Sequence, residues 1–199
     1  MATSEGLSVR EAKRLQTRER LFGAAVAEFK RAGMAEADVG AIVASAGVAH
    51  GTFFFHFPTK EHVLLEMEHR EEERIAGQFG RFVAKDHDLA DAYREAVRLV
   101  IAIERRFGAV LFKDLLALHF SPTRPQSEGA EDHALIVLVA RELDLAKERD
   151  EVAADVIPIN SAVFFLLGLY ALLTTTANWE LRDDMIADYV KRSLQAVRA

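Results

Sequence analysis

A chain of 199 residues, half of them hydrophobic and 28% charged, is long enough for one ordinary core or for a small module joined to a larger one. Zero cysteines exclude a disulfide framework and thiolate metal sites and fit a reducing compartment. The net charge of −6 argues against indiscriminate binding to nucleic acid, but residues 1–60 carry eight Lys/Arg against six Asp/Glu, and residues 61–199 carry 17 against 25. An acidic body with a mildly basic head suits a protein that offers a polyanion one face. The opening MATSEGLSVREAKR has no apolar run of signal-peptide type, so a cytoplasmic location is expected.

Nearly the whole chain reads as helix, with no sustained period-two alternation and no Asn-Gly or Asp-Gly hairpin turn. Ser8 followed by Glu11 is a capping-box start. From there Leu15, Phe22, Val26 and Phe29 recur at helical spacing as one buried stripe, and Gly33 stops the helix. Asp38 is an N-cap for a second helix through about Ser45, Gly47 breaks it, and a third short helix covers about Ala49–Phe55. Pro58 and Thr59 lead into a long fourth helix, to about Lys85, whose charged middle (Glu66–Arg74) reads as a solvated connector. Helices follow over about Leu89–Phe107, Ala109–Phe120 and Ala134–Arg149, with SPTRPQSEG (Ser121–Gly129) as a loop. A strongly apolar helix over about Asp155–Trp179 comes next. A last helix over about Asp183–Val197 turns Met185, Ile186, Tyr189, Val190, Leu194 and Val197 inward.

The segment from Val39 to Lys60 carries the chemistry. Two short helices that cross closely need small residues at the crossing, which Ala46 and Gly47 supply, while Ile42, Val48 and Phe53 fill the core beneath. That is the requirement of a helix-turn-helix, whose second helix must keep one face free for base edges and phosphates. On that face fall Ala49, His50, Thr52 and His56, with Gly51 allowing close backbone approach. Phe53 and Phe57 read as core; Phe54 and Phe55 cannot both be buried on so short a helix.

The run Ile42, Ala46-Gly47-Val48, Gly51-Thr52, Phe54, His56-Phe57 and Lys60 resembles the N-terminal signature of tetracycline-repressor (TetR) family regulators over about residues 10–62. The resemblance implies an all-α fold: a three-helix DNA-binding head (residues 1–58) and a larger ligand-binding and dimerisation body (59–199). It also implies a homodimer closed by a four-helix bundle. Such regulators are mostly repressors released from a palindromic operator by a small molecule; they are not enzymes and need no cofactor. By position, His50 would face base edges, Thr52 would bond a phosphate and Lys60 would meet the backbone at the start of helix four. Arg10, Lys13, Arg14 and Arg18 could add phosphate or minor-groove contacts. The DNA-facing set is thus Arg14, Arg18, Ala49, His50, Gly51, Thr52, Phe54, His56 and Lys60.

Four residues depart from the family pattern. Gly40 stands where a polar contact is frequent, Val43 where Ala permits close crossing, Ala49 where Ser is frequent, and Phe54 where Tyr would bond a phosphate. They keep a second reading open: a TetR-like ligand-binding or interaction protein with weakened or lost DNA binding. His50 and His56 also read as surface or packing histidines, Gly51 as a turn residue, and the basic arm as ordinary helix surface.

In the body, Phe82, Phe107, Phe112, Leu116, His119, Phe120, Asn160, Phe164 and Thr175 are candidates for a largely apolar effector pocket, against the plainer reading that they are core. Val156–Trp179 carries no charge, but Pro158, Asn160 and three consecutive threonines, with acidic flanks, favour a helix buried between subunits over a membrane span. The last two helices are then the expected dimer face. His62, Glu66, His69 and Glu73 share a face of helix four but read as solvated charge rather than a metal site. No nucleophile elbow, phosphate loop or HExxH motif is present.

Overall fold

The computed structural model describes residues 8–119, 121, 122, 124, 125 and 133–199, with His119 by its backbone alone. Most of the expected Ser121–Gly129 loop, together with Phe120 and the side chain of His119, lies outside the described residues. The described residues form nine helices and one isolated antiparallel bridge between Val152 and Arg198. They fall into two compact units, one of residues 1–67 with 117–125 and one of residues 68–116 with 126–199.

The first unit begins with α1 (Val9–Glu36), whose capping box is complete: Glu11 N–H donates to Ser8 Oγ at 3.3 Å and Ser8 N–H to Glu11 Oε2 at 2.9 Å. Leu21, Ala25 and Phe29 are fully buried at successive turns, with Phe22 and Val26 half-buried beside them. Leu15 departs from the expected stripe and is exposed, because the core beneath α1 starts a turn and a half later. Gly33 leaves helical geometry at φ 79, and three further residues complete the last turn.

Asp38 caps α2 (Val39–Ala46), accepting from Gly40 N–H at 2.9 Å and Ala41 N–H at 3.2 Å. The departures at Gly40 and Val43 are absorbed here. A Cβ at Gly40 would sit 3.2 Å from the capping carboxylate, and Val43 is itself buried. Gly47 is left-handed at φ 63, and α3 (His50–His56) leaves α2 at 96°. Phe53 and Phe57 fill the core with Ile42, while Val48 is half-buried.

The boundary between the units falls within α4 (Lys60–Val83). Its charged middle is not the solvated connector expected from composition. Met67, Glu68, Glu71, Ile75 and Phe79 are buried, and Glu71 is held by Arg74 at 2.8 Å and Arg106 at 3.2 Å. A carboxylate can occupy a core stripe when guanidinium groups replace its water.

In the second unit α5 (Leu89–Phe107) opens on an Asp88–Asp91 capping box and packs against α7 (Ala134–Glu148), α8 (Pro158–Thr175) and α9 (Arg182–Val197). Gly108, at φ 80, separates α5 from α6 (Ala109–His119). The apolar helix is shorter at both ends than expected. Pro158 starts it, and Thr174, Thr175 and Thr176 fold their hydroxyls back onto the carbonyls of Tyr170, Ala171 and Leu172. On α9, Ile186, Val190 and Val197 are buried, and Met185, Tyr189 and Leu194 half-buried. Tyr189 hydroxyl donates to Phe165 O at 2.7 Å, and a Cβ at Gly168 would overlap that hydroxyl, so α8 needs glycine there.

Glu28 ties α1 to the start of α2, accepting from Arg31 at 2.6 and 2.8 Å and from Asp38 N–H at 3.2 Å. The Arg31 bonds, and then the Asp38 bond, lower its pKa from 4.5 to about 2. Because the folded value is depressed, its contribution is complete above the unfolded carboxyl's range and is lost as pH falls toward 2. Glu28→Gln should therefore flatten the loss of head stability between pH 4.5 and about 2 in thermal melts followed by circular dichroism. Parallel acid limbs for variant and parent would reject this role.

Candidate nucleic-acid interface

The 96° corner between α2 and α3 is held from α1. Arg20 donates to the carbonyls of Ala46 and Gly47, which the end of α2 leaves without helical partners. Val48 N–H returns to Val43 O at 3.0 Å and closes the turn. With Phe53 anchored at 0% exposure, the rest of α3 turns outward: His50, Gly51, Phe54 and Phe55 are exposed, and Thr52 and His56 half-buried. Ala49 stands at the N-cap in extended geometry with no side-chain cap bond.

The expected DNA-facing residues therefore divide. Ala49, His50, Gly51, Thr52 and Phe54 share the outer side of α3, and Arg10, Lys13 and Arg14 are exposed on α1. A Cβ added at Gly51 meets nothing within 4 Å and its φ is ordinary, so the turn requirement falls on Gly47 instead. His56 lies partly inside, where burial first, and then Arg18 and Arg14, hold its pKa below the ordinary histidine range. It is therefore neutral at pH 7.

Two of the expected phosphate ligands have internal partners instead. Arg18 donates to His56 O at 2.6 Å, pairs with Glu66 and lies 4.3 Å from the Phe57 ring centroid. Lys60 Nζ donates to Ala35 O at 2.8 Å and Ala37 O at 3.3 Å, closing the C-terminal end of α1. Both partners are 23 or more residues away in sequence, beyond the reach of any local pattern.

The expected pocket residues are also dispersed. Phe107 and Phe112 are buried, the latter 5.9 Å from the Tyr170 ring, while Leu116 and Phe82 are half-buried. Asn160, Phe164 and Thr175 face outward on α8, so the structure does not bring them to the interior. Two surface grooves of about 600 and 640 Å³ run along α5 and between α5 and α9, and none of the expected residues lines either. On α4, His62 bonds Thr59 and Glu66 pairs with Arg18. A different trio, Glu68, Glu72 and His133, brings one metal-ligating atom each within 4.8 Å of the others. Burial, and then Glu72 and Glu68, keep the Tyr170 phenol protonated well above its usual range. Periodicity gave no sign of this cluster, since His133 lies 61 residues from Glu72.

Residues 21–67 match the family model for "Bacterial regulatory proteins, tetR family". No curated protein sequence matches the chain. Among solved structures, RolR in complex with resorcinol is 21% identical with a TM-score of 0.69, over 94% of this chain and 89% of that one. FadR of Thermus thermophilus, a TetR-family transcriptional repressor in complex with lauroyl-CoA, is 23% identical with a TM-score of 0.65, over 89% and 91%. A complex of SmeT with triclosan is 18% identical with a TM-score of 0.61, over 92% of each. Over these shares of its length the chain has the fold of these proteins.

Replacing Arg18 by Ala removes a charged hydrogen bond, an ion pair and a ring contact, all from a side chain that stays about one third exposed (34%). It should cost the head about 1–2 kcal/mol in denaturant unfolding. A variant as stable as the parent would return Arg18 to the surface set.

Proposed function

We infer that this chain is a TetR-family transcriptional regulator, a repressor that holds a palindromic operator as a cytoplasmic homodimer and releases it when a small, largely apolar effector binds the body. The observation that carries the reading is the outward side of α3, held by Phe53 and the Gly47 corner and offering His50, Gly51, Thr52 and Phe54 without an acidic residue. His50 and Thr52 supply hydrogen bonds to bases and phosphate, and Arg10, Lys13 and Arg14 supply cations beside them. The residues 1–58 serve as the DNA-binding domain and 59–199 as the ligand-binding and dimerisation domain.

The dimer face is assigned to α8 and α9. Asn160, Phe164, Leu167, Ala171 and Thr175 form one outward stripe at helical spacing, and Phe164 is 71% exposed. Trp179 and Leu181, in the connection from α8 to α9, are exposed as well. Such an apolar stripe on a soluble chain is what a symmetric four-helix interface covers. Resorcinol, lauroyl-CoA and triclosan, the ligands named with the three neighbours, each carry substantial apolar surface. The buried rings of Phe107 and Phe112, the latter beside the half-buried Tyr170, suit an effector of that kind.

Effector binding would bias α4 and alter the separation of the two heads. Docking in successive major grooves needs recognition helices roughly 34–36 Å apart, so a modest change forfeits the site. This coupling requires an effector that binds the two states with different affinity.

A second reading is favoured by the internal engagement of Arg18 and Lys60, which leaves fewer cations for phosphate. On that reading the chain is a TetR-like ligand-binding or interaction protein with weakened DNA binding.

Fluorescence titration against the DNA upstream of its own gene separates the two. A specific complex that weakens with rising salt supports the regulator, and no specific complex at low salt supports the alternative. The dimer assignment has its own test. Phe164→Glu should shift the protein from dimer to monomer in analytical ultracentrifugation with helix content unchanged, and an intact dimer would reject this face.

A further inference from the structure

The outward side of α3 is aromatic where a recognition helix commonly carries amides or cations. Phe55 is 72% exposed and Phe54 47% exposed, while Phe53 alone of the three enters the core. Neither exposed ring is loose. Phe54 lies between the Phe53 ring, edge-on at 5.3 Å, and the His50 imidazole at 5.6 Å. Phe55 stands edge-on to the His56 ring at 5.1 Å. His56 is held in turn through its carbonyl by Arg18.

Gly51 lies one turn before Phe55, on the same side of α3. A Cβ there would meet nothing within 4 Å, so the side of the helix that carries the Phe55 ring is open. The helix His50–His56 contains no Asp, Glu, Lys or Arg.

We propose that Phe55, with Phe54 beside it, is a specificity-determining residue that reads the C5-methyl group of a thymine in the major groove. The inference rests on the DNA-binding reading and adds the base class that this helix selects. Thymine alone among the four bases places a methyl group on the major-groove edge. Cytosine N4, adenine N6 and N7, and guanine N7 and O6 would each meet a ring that returns no hydrogen bond, so the same contact attracts thymine and rejects the others. His50, packed on Phe54, is positioned by that ring to donate to a neighbouring base.

Selection of bound sequences from random DNA with the full-length protein provides the sites. Thymine at one fixed position of each half-site is then replaced by deoxyuracil, which removes the methyl and leaves the pairing edge unchanged. Loss of one buried methyl is worth about 0.8 kcal/mol, so affinity should fall roughly fourfold per half-site for the parent protein. Phe55→Ala should bind thymine and deoxyuracil sites equally. The exposure of Phe55 makes this variant safe for the fold, and circular dichroism checks it. Enriched sites with no fixed thymine, a deoxyuracil site bound as tightly as the thymine site, or an undiminished methyl effect in Phe55→Ala would each overturn the proposal while leaving DNA binding intact. Absence of any enriched sequence would overturn it together with the DNA-binding reading.

Discussion

The head depends on the left-handed turn at Gly47. At φ 63 a Cβ would be strained, and it would also come within 3.1 Å of the Arg20 guanidinium. That guanidinium satisfies the Ala46 and Gly47 carbonyls, so conformational freedom and a charged hydrogen bond act at the same point. Fixing the corner at 96° aims Phe53 into the core, and α3 then has no choice about which side it leaves to solvent. The exposed rings, the imidazole of His50 and the open side of Gly51 all follow from that corner.

Small heads bury little surface and need other ties. Here those ties are charged groups placed on helix ends: Arg20 on α2, Lys60 on α1, Arg18 on the last turn of α3, and Glu28 between Arg31 and the Asp38 amide. Each satisfies backbone that the helix itself cannot. Of these cations, Arg18 and Lys60 are ones a family resemblance assigns to DNA, so fold and ligand compete for them. With a head carrying only eight Lys/Arg against six Asp/Glu, that competition bears directly on how polyanions are gripped.

How much of this was legible in the sequence follows the range of each interaction. The Ser8–Glu11 box, the Asp38 cap, the break at Gly47 and the burial of Phe53 and Phe57 are all local or periodic, and they stand as expected, while at Gly33 the helix kinks before its end at Glu36. Arg18 and Lys60 read as surface cations because their carbonyl partners are 38 and 25 residues away. Glu71 read as solvated because composition cannot see that Arg74 and Arg106 accompany it inward. On α8, apolar all round, periodicity gives no phase. That Asn160, Phe164 and Thr175 share the outer stripe is set by the inward commitments of Ala162, Phe165, Leu169 and Leu173. Gly168 marks the contact in the sequence only in hindsight, since the Tyr189 hydroxyl that requires it belongs to another helix.

These two helices present one physical problem in different settings. Both α3 and α8 leave large apolar side chains in water at a cost of about 25 cal/mol per Å² of exposed apolar area. In α8 the stripe is regular and uncharged, a form suited to a second identical surface. In α3 the rings are few and flanked by imidazoles and a hydroxyl, on a helix with no formal charge. A flat apolar partner would strand those polar groups, whereas a base-pair edge offers hydrogen bonds and a methyl group side by side. Because the nearby cations Arg18 and Lys60 already serve the fold, selectivity on this helix has to come from shape, imidazole hydrogen bonds and apolar contact rather than from charge.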